Sequence, residues 1–298
     1  AAMSAMDNGA KDVMVVEKLS RFGGSTSVSG AVVAAENTYY TQSIGLEPNS
    51  EVWLEEWKAS SDSDIGVLGK DPGYPTYERV SNYFTQVGET INWLEDEGVA
   101  HWVTYPFFPN GRYQVPDYVI DSETGAADPE GGYMLIDHMV DWLKNHDADL
   151  RLSTTGTKLL TNDAGDVIGA TVQDASGSYD VYASRGVVLA TGGVSYPSTG
   201  STGDGYLFAK ENGLNVTKLS ASLVGLTMDE KWPTLLQGLS LKNVRITAKV
   251  GKKTIYSELG EMLFTHFGVS GPLVLSASSR IADSPEGVRL TIDMKPGL

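Results

Sequence analysis

The alternation of apolar and polar positions along the chain predicts amphipathic helices and two kinds of strand. Over 76–97, Val80, Phe84, Val87, Ile91 and Leu94 recur at alternating spacings of four and three. That is one apolar stripe on an amphipathic helix, closed by Gly98. A second helix is predicted over 133–146, with Leu135, Met139 and Trp142 inward and His138 and His146 in polar surroundings. Residues 1–8 read as a small-residue helix stopped by a left-handed Gly9, and 51–58 as a short helix. Short strands are predicted at 158–161, 167–173 and 179–183, with Asn, Asp, Gly and Ser in the turns. Further on, Val244, Ile246, Ala248 and Val250 alternate with polar residues, as a half-buried strand requires. Two runs are apolar without alternation: 13–16, ending at Glu17, and 187–190, ending at Thr191 and the pair Gly192-Gly193. A continuous apolar run closed by glycine suits a strand buried on both faces of a parallel sheet.

Glycines and hydroxyl residues collect where these runs end. After Glu17 comes EKLSRFGGSTSVSG, and after the second run comes VSYPSTGSTGDGY. Small hydroxyl residues between glycines offer donors to a phosphate or a flat heterocycle, although the same composition makes a flexible loop. Ligands of open α/β sheets bind at the carboxyl ends of the strands, so 185–209 reads as one wall of a dinucleotide site. An acidic residue at the end of the second strand of such a fold accepts hydrogen bonds from a ribose, which is a role for Glu17. Asp204 also reads as the N-cap of a helix over 206–211. Residues 99–132 are rich in Pro, Gly and aromatics, including Trp102, Tyr105, Phe107, Phe108 and Tyr113, and read as an irregular loop over the site. Arg112 is the cation there placed to meet an anionic substrate, set against the reading of a solvated surface arginine.

Composition narrows the function. Twenty-two Lys plus Arg stand against 38 Asp plus Glu, a net charge of −16. An acidic chain without a basic stripe is a poor partner for nucleic acid or anionic membranes. The absence of cysteine excludes disulfides, thiolate metal sites and cysteine nucleophiles. No apolar run approaches the roughly 20 residues of a membrane-spanning helix, and no signal pattern opens the chain. No metal cluster, nucleophile elbow or P-loop is written in it.

The run AAMSAMDNGAKDVMVVEK followed by GGSTSVSG resembles the first helix, second strand and flavin loop of the fumarate reductase/succinate dehydrogenase flavoprotein family. The likeness continues through GETINWLEDEGV and GGYMLIDHMVDWLKNHDADLRLSTTGTKLL to about Gly193. It implies FAD. Glu17 would meet the adenosine ribose, and Lys18 beside it also belongs to the cofactor-binding set; Gly23, Gly24, Ser25, Thr26, Ser29 and Gly30 would face the pyrophosphate and isoalloxazine. Backbone near Gly156 and Thr157 would contact adenine. From Ser195 to about Pro296 the chain resembles instead the aminoacetone-oxidase-like (BaiN-like) NAD(P)/FAD-dependent oxidoreductases, through GSTGDGY, GLSLKNV and LFTHFGVSGP. Both families share the ATGG strand end (Ala190, Thr191, Gly192, Gly193) and the TGDG turn (Thr202, Gly203, Asp204), with Asp204 at the ribitol of FAD.

These readings predict an α/β fold: a Rossmann-like FAD-binding domain over 1–215 with a three-stranded antiparallel crossover, and a partial β-rich domain over 216–298. The implied activity is FAD-dependent hydride transfer to or from a small organic substrate, with NAD(P)H a candidate donor and an electron-transfer protein a candidate partner. Fumarate-reductase-type enoate reduction and a non-catalytic fragment are the alternatives. A nicotinamide-only dehydrogenase leaves the ATGG and GGSTSVSG segments unexplained. His266, Arg112 and Arg280 are the catalytic candidates, and no substrate arginine carries over from the fumarate reductases. The location expected is cytoplasmic. Both ends are expected to be cut, with a GxGxxG turn belonging before Ala1 and a closing glycine segment after Leu298. On that expectation the chain as it stands binds FAD weakly or not at all.

Overall fold

The computed structural model describes residues 1–68, 77–281 and 286–296. Thr76, the expected start of the long helix, and Gly297 and Leu298 lie outside the described residues. The chain forms two compact units, one from Ala1–Val52 and Glu78–Val216, the other from Trp53–Tyr77 and Thr217–Leu298.

In the first unit, helix α1 (Ala2–Asp7) leads through Gly9, at φ +80°, into strand β1 (Met14–Val16). A short helix α2 (Gly24–Ser27), strand β2 (Val33–Ala34) and helix α3 (Tyr39–Ser43) follow. Helix α4 (Ser50–Leu68), of which only Ser50–Val52 belongs to this unit, is longer than the expected 51–58, because Ser, Asp and Gly after Ala59 hide a helix that propensity alone would end. Helix α5 (Tyr77–Asp96) buries Val87, Ile91 and Leu94, as its stripe predicts. Helix α6 (Gly131–Asn145) buries Leu135, Trp142 and Leu143 in the same core, with Met3 of α1. Each such side chain, fully buried, contributes about 1.5–3 kcal/mol.

The segment 99–132 is not an irregular cover. Strands β3 (Trp102–Thr104) and β4 (Tyr113–Pro116) form with β2 an antiparallel sheet of order β2-β4-β3. Trp102, Val115 and Val119 are almost wholly buried in the core. These strands are too short to show a period, and Gln114 is a buried polar residue that breaks the apolar pattern. Its amide is satisfied by Thr38 Oγ1, which donates to it at 2.9 Å, and by the Ala35 carbonyl, which accepts at 3.0 Å.

Strand β5 (Asp149–Arg151) pairs in parallel with β1, Met14 against Asp149 and Val16 against Arg151. The crossover expected from the sequence follows as β6 (Thr155–Thr161), β7 (Val167–Asp174) and β8 (Gly177–Tyr182), an antiparallel meander. The run 187–190 is a correction. It lies in no strand, with Val188 72% and Leu189 43% exposed. A parallel strand is buried only when neighbours complete its ladder, and no described strand pairs with this one. Helix α7 (Asp204–Glu211) then begins one residue after Gly203, which is its cap, so Asp204 is the first helical residue rather than the N-cap.

The second unit is a five-stranded antiparallel sheet. Its members are β9 (Leu226–Thr227), β10 (Ser240–Val250), β11 (Lys253–Thr265), β12 (Gly268–Ser270) and β13 (Val288–Asp293), in the order β13-β10-β11-β12-β9. Helix α8 (Pro272–Ile281) packs Leu273, Val274, Ala277 and Ile281 against Val244, Ile246, Ala248, Met262 and Phe264. Val250, the last position of the predicted alternation, is 44% exposed beside the hairpin turn. No described helix is long and apolar enough to cross a membrane.

Candidate functional site

Two glycine-rich segments far apart in sequence meet at the carboxyl end of β1. Lys18, just past the strand, donates to Asp204 Oδ2 at 2.7 Å and also to Thr202 Oγ1. Thr202 Oγ1 donates in turn to the Asp204 carboxylate at 3.1 Å. Ser25 Oγ stands 2.7 Å from Thr199 Oγ1 and 3.3 Å from Ser201 Oγ. The expected residues Lys18, Gly24, Ser25, Thr202, Gly203 and Asp204 are therefore brought together, with Thr199 and Ser201 added by the structure.

Glycine is required where backbones approach. A Cβ on Gly192, at φ +70°, would stand 2.6 Å from Ser201 Oγ, and one on Gly203, at φ +90°, 2.9 Å from Val194 Cγ1. These contacts fold the ATGG segment, with Thr191 and Gly193, onto the start of α7. On the other side, α2 is clamped to α6. A Cβ on Gly132 would overlap the Thr26 carbonyl oxygen, and the Gly132 N–H donates to the Ser29 carbonyl at 2.7 Å. Gly131 and Gly132 were missed by sequence reasoning. The signal was there: adjacent glycines open a helix that each weakens by about 1 kcal/mol, which calls for a packing reason.

Glu17 closes the site at the strand end. Its Oε1 accepts from the Leu19 N–H at 2.8 Å and its carbonyl accepts from the Thr154 N–H at 2.9 Å. That second bond places β6 next to Glu17, with Gly156 and Thr157 at a bulge in the β6–β7 register. A Cβ on Gly156 would meet nothing within 4 Å. Ser29 Oγ donates to the Thr26 carbonyl at 2.7 Å, and Gly30 leads into the core at Ala31. Ala190 remains exposed.

The site is charged but internally balanced. The Lys18 ammonium bonded to Asp204 holds that carboxyl below the ordinary aspartate range, with Thr202 adding and partial burial opposing. A depressed folded-state pKa contributes stability that is present above the ordinary value and lost as pH falls through the lowered one. Asp204→Asn is therefore expected to flatten the acid limb of stability against pH. Urea midpoints at successive acid pH values measure it, and an unaltered limb would count against the pairing.

Of the catalytic candidates, Arg112 belongs to the first unit and His266 and Arg280 to the second. Arg112 is largely buried, and its guanidinium pairs with Glu36, whose side chain is 3% exposed. Glu36 Oε2 also accepts from Ser50 Oγ at 2.9 Å and from the Asn49 N–H. The pairing corrects the reading of Arg112 as a solvated surface arginine, because a buried carboxylate needs a charged partner. His266 is exposed in the β11–β12 turn, its ring edge-on to Phe267 at 5.0 Å. Arg280 lies in the last turn of α8 and acts on Tyr256, whose phenol is pushed up to about 12 chiefly by burial. His138 and His146 stack on Tyr118 and Trp142.

Comparison with known proteins decides the family. A model described as an FAD binding domain matches residues 1–240. The chain belongs to this FAD-binding family. A second model, the HI0933-like protein barrel and H2TH domain, matches residues 220–298, the β-rich unit. The ribosomal RNA dihydrouridine synthase of Haemophilus influenzae is 45% identical over 97 residues, 32% of this chain and 23% of that protein. The urocanate reductase of Eggerthella lenta is 26% identical over 255 residues, 78% of this chain and 38% of that protein. The chain thus spans less than two fifths of either relative. Among solved structures, the open form of a flavocytochrome c3 fumarate reductase superposes with a TM-score of 0.56 at 22% identity, over 81% of this chain and 44% of that one. A 3-ketosteroid Δ1-dehydrogenase from Sterolibacterium denitrificans gives 0.58 at 15% identity, over 85% and 60%. At such identities the shared fold is what these structures establish.

The residues of the FAD-binding unit fit the group. Glycines let Glu17–Gly30 and Thr191–Asp204 pack closely, and the hydroxyls of Ser25, Thr26 and Thr202 stand exposed beside them. Hydroxyls and amides of this kind match the ribose, ribityl and phosphate oxygens of a dinucleotide.

Proposed function

We infer that this chain is the FAD-holding part of an oxidoreductase that moves a hydride between a small organic substrate and the flavin. The observation that carries the reading is the meeting of Lys18 and Ser25 with Thr199, Thr202 and Asp204, which joins both glycine-rich segments at one strand end. Bound FAD supplies the hydride chemistry. The chain's part is to hold it: Glu17 for the ribose, the Gly23–Gly30 backbone for the pyrophosphate side, Asp204 for the ribityl chain, and Gly156-Thr157 beside the adenine.

Unsaturated carboxylates are the favoured substrate class, because relatives named for urocanate and fumarate reduction align over most of this chain. Urocanate and fumarate both carry a carbon–carbon double bond conjugated to a carboxylate. NAD(P)H is the proposed donor, and an electron-transfer protein its rival. The cation that would hold such a substrate is not Arg112, whose charge is committed to Glu36.

Titration of the purified chain with FAD, followed by flavin fluorescence, tests the site. Weak but saturable binding is expected, weakened a further tenfold or so by Asp204→Ala, the worth of one charge-assisted hydrogen bond. Binding that ignores both Asp204→Ala and Gly24→Val would refute the site. Reduction of the bound flavin by NADPH or NADH, followed at its visible absorbance, separates the donor assignment from the binding assignment.

A further inference from the structure

The dipeptide Asn-Gly occurs three times in the chain, as Asn8-Gly9, Asn110-Gly111 and Asn212-Gly213. In such a pair the glycine nitrogen can attack the carbonyl carbon of the asparagine side chain, because no Cβ on the glycine blocks the approach. The attack needs that N–H free to lose its proton. It also needs the side chain to give up its other bonds and swing onto the backbone. All three asparagines are exposed, so solvent access does not rank them. Hydrogen bonding does.

Two of the pairs are locked as helix caps. Asn8 is the C-cap of α1: its side-chain amide donates to the Ser4 carbonyl at 2.9 Å, and the Gly9 N–H donates to the Met6 carbonyl at 2.9 Å. Asn212 repeats the arrangement at the end of α7. Its side-chain amide donates to the Phe208 carbonyl at 2.8 Å, and the Gly213 N–H to the Lys210 carbonyl at 3.1 Å. In both pairs the attacking and the attacked group are each held by a bond that ring closure must break.

Asn110-Gly111 lies in the turn between β3 and β4, outside any helix. Among the described residues, neither the Gly111 N–H nor the Asn110 side-chain nitrogen donates a hydrogen bond. The Asn110 side chain is bonded through its oxygen instead, where Oδ1 accepts from the Arg112 N–H at 3.0 Å. A donor on that oxygen draws electrons from the carbonyl carbon and stabilises the negative charge that the oxygen takes on during attack. A Cβ on Gly111, at φ +76°, would stand 2.6 Å from Ile44 Cδ1, so glycine is fixed at this position and no side chain shields its nitrogen.

We propose that Asn110 is a site of spontaneous deamidation in the folded chain, converted through a cyclic imide to isoaspartate and aspartate. The Gly111 nitrogen bonds to Asn110 Cγ, the Cγ–Nδ2 bond breaks, and the proton lost from Gly111 ends on the departing ammonia. Water then opens the ring. Opening at Cγ leaves aspartate; opening at the main-chain carbonyl leaves isoaspartate. One amide and one water become one carboxylic acid and one ammonia, with no change of oxidation state. Either product puts a carboxylate two positions before Arg112, the cation that pairs with Glu36. Isoaspartate also lengthens the main chain by one methylene beside Gly111 and Arg112. Their carbonyls accept from Gln114 Nε2 at 3.2 Å and from the Ala35 N–H at 2.9 Å, so the change bears on the pairing of β2 with β4. The site stands independently of the flavin reading.

The test is peptide mass spectrometry of the full chain held at mildly alkaline pH and sampled over time, with isoaspartate scored by its separate elution. The Asn110 peptide is expected to convert at least about tenfold faster than the Asn8 and Asn212 peptides, each of which has two further hydrogen bonds to break. In concentrated urea, where caps and turn are lost alike, the three rates are expected to converge. Asn110→Gln, whose longer side chain closes the ring less readily, is expected to abolish conversion at that position. Asn8→Gln/Asn212→Gln is expected to leave the Asn110 rate unchanged. An Asn110 that does not convert, equal rates at the three pairs in the folded chain, a ranking that survives unfolding, or aspartate without isoaspartate at position 110 would each overturn the proposal.

Discussion

Arg112→Ala is expected to destabilise the first unit by about 3–5 kcal/mol, because it leaves the Glu36 carboxylate buried without its counter-charge. With an m-value near 2 kcal/mol per molar, that is a fall of about 2 M in the urea midpoint. The environment argues for the upper part of the range. Glu36 is 4% exposed, and its other partners, Ser50 Oγ and the Asn49 N–H, are neutral donors at the start of α4. The backbone is confined as well, since a Cβ on Gly88 of α5 would overlap the Glu36 carbonyl oxygen. Replacing both partners, as in Glu36→Gln/Arg112→Met, is expected to recover most of the loss, because no unpaired charge is then left in the core. A catalytic arginine behaves in the opposite way: its removal lowers turnover and leaves the unfolding midpoint in place. Urea unfolding of the two variants beside the parent distinguishes the two.

Gly132→Val is expected to cost about 1–3 kcal/mol and to lower FAD affinity at least tenfold. Its side chain would enter the space held by the Thr26 carbonyl and by Ser29, whose carbonyl and hydroxyl oxygens both lie within 3 Å of the new Cβ. The helix cannot yield without opening the Leu135 and Trp142 core, so the Gly23–Gly30 segment must move. Gly30→Ala is the control. Its Cβ meets nothing nearer than Val32 Cγ2 at 3.6 Å and is expected to be tolerated. Paired thermal unfolding and flavin titration decide the matter; a Gly132→Val protein that binds FAD like the parent would show that the clamp does not set the loop.

The two predictions concern residues that resemblance alone would have sorted the wrong way. Arg112 drew notice as a cation in an aromatic-rich stretch, yet its charge serves the core. Gly132 lay unremarked within GGYMLIDHM, yet it sets where the Gly23–Gly30 segment rests. The cations of β10 and β13 are a third case: the sequence reads as lacking a basic stripe, yet strand register sets Lys249 opposite Arg289.

What the sequence determined by itself was whatever local spacing encodes. The α5 stripe, the inward face of α6, the β6–β8 meander and the alternation of β10 all follow from periods of 3.6 and 2, which burial enforces residue by residue. The glycine and hydroxyl segments at 17–30 and 190–205 were legible because the shape of a dinucleotide demands particular residue types there. Tertiary structure alone decided the rest. That Lys18 would pair with Asp204 and Ser25 with Thr199 depends on contacts across more than 170 positions, which no local period can specify. Strands β3 and β4 were hidden because they are short and hold a buried glutamine. The run 187–190 failed for the complementary reason: an apolar segment becomes a buried strand only when other strands complete its ladder, and that is a property of its neighbours.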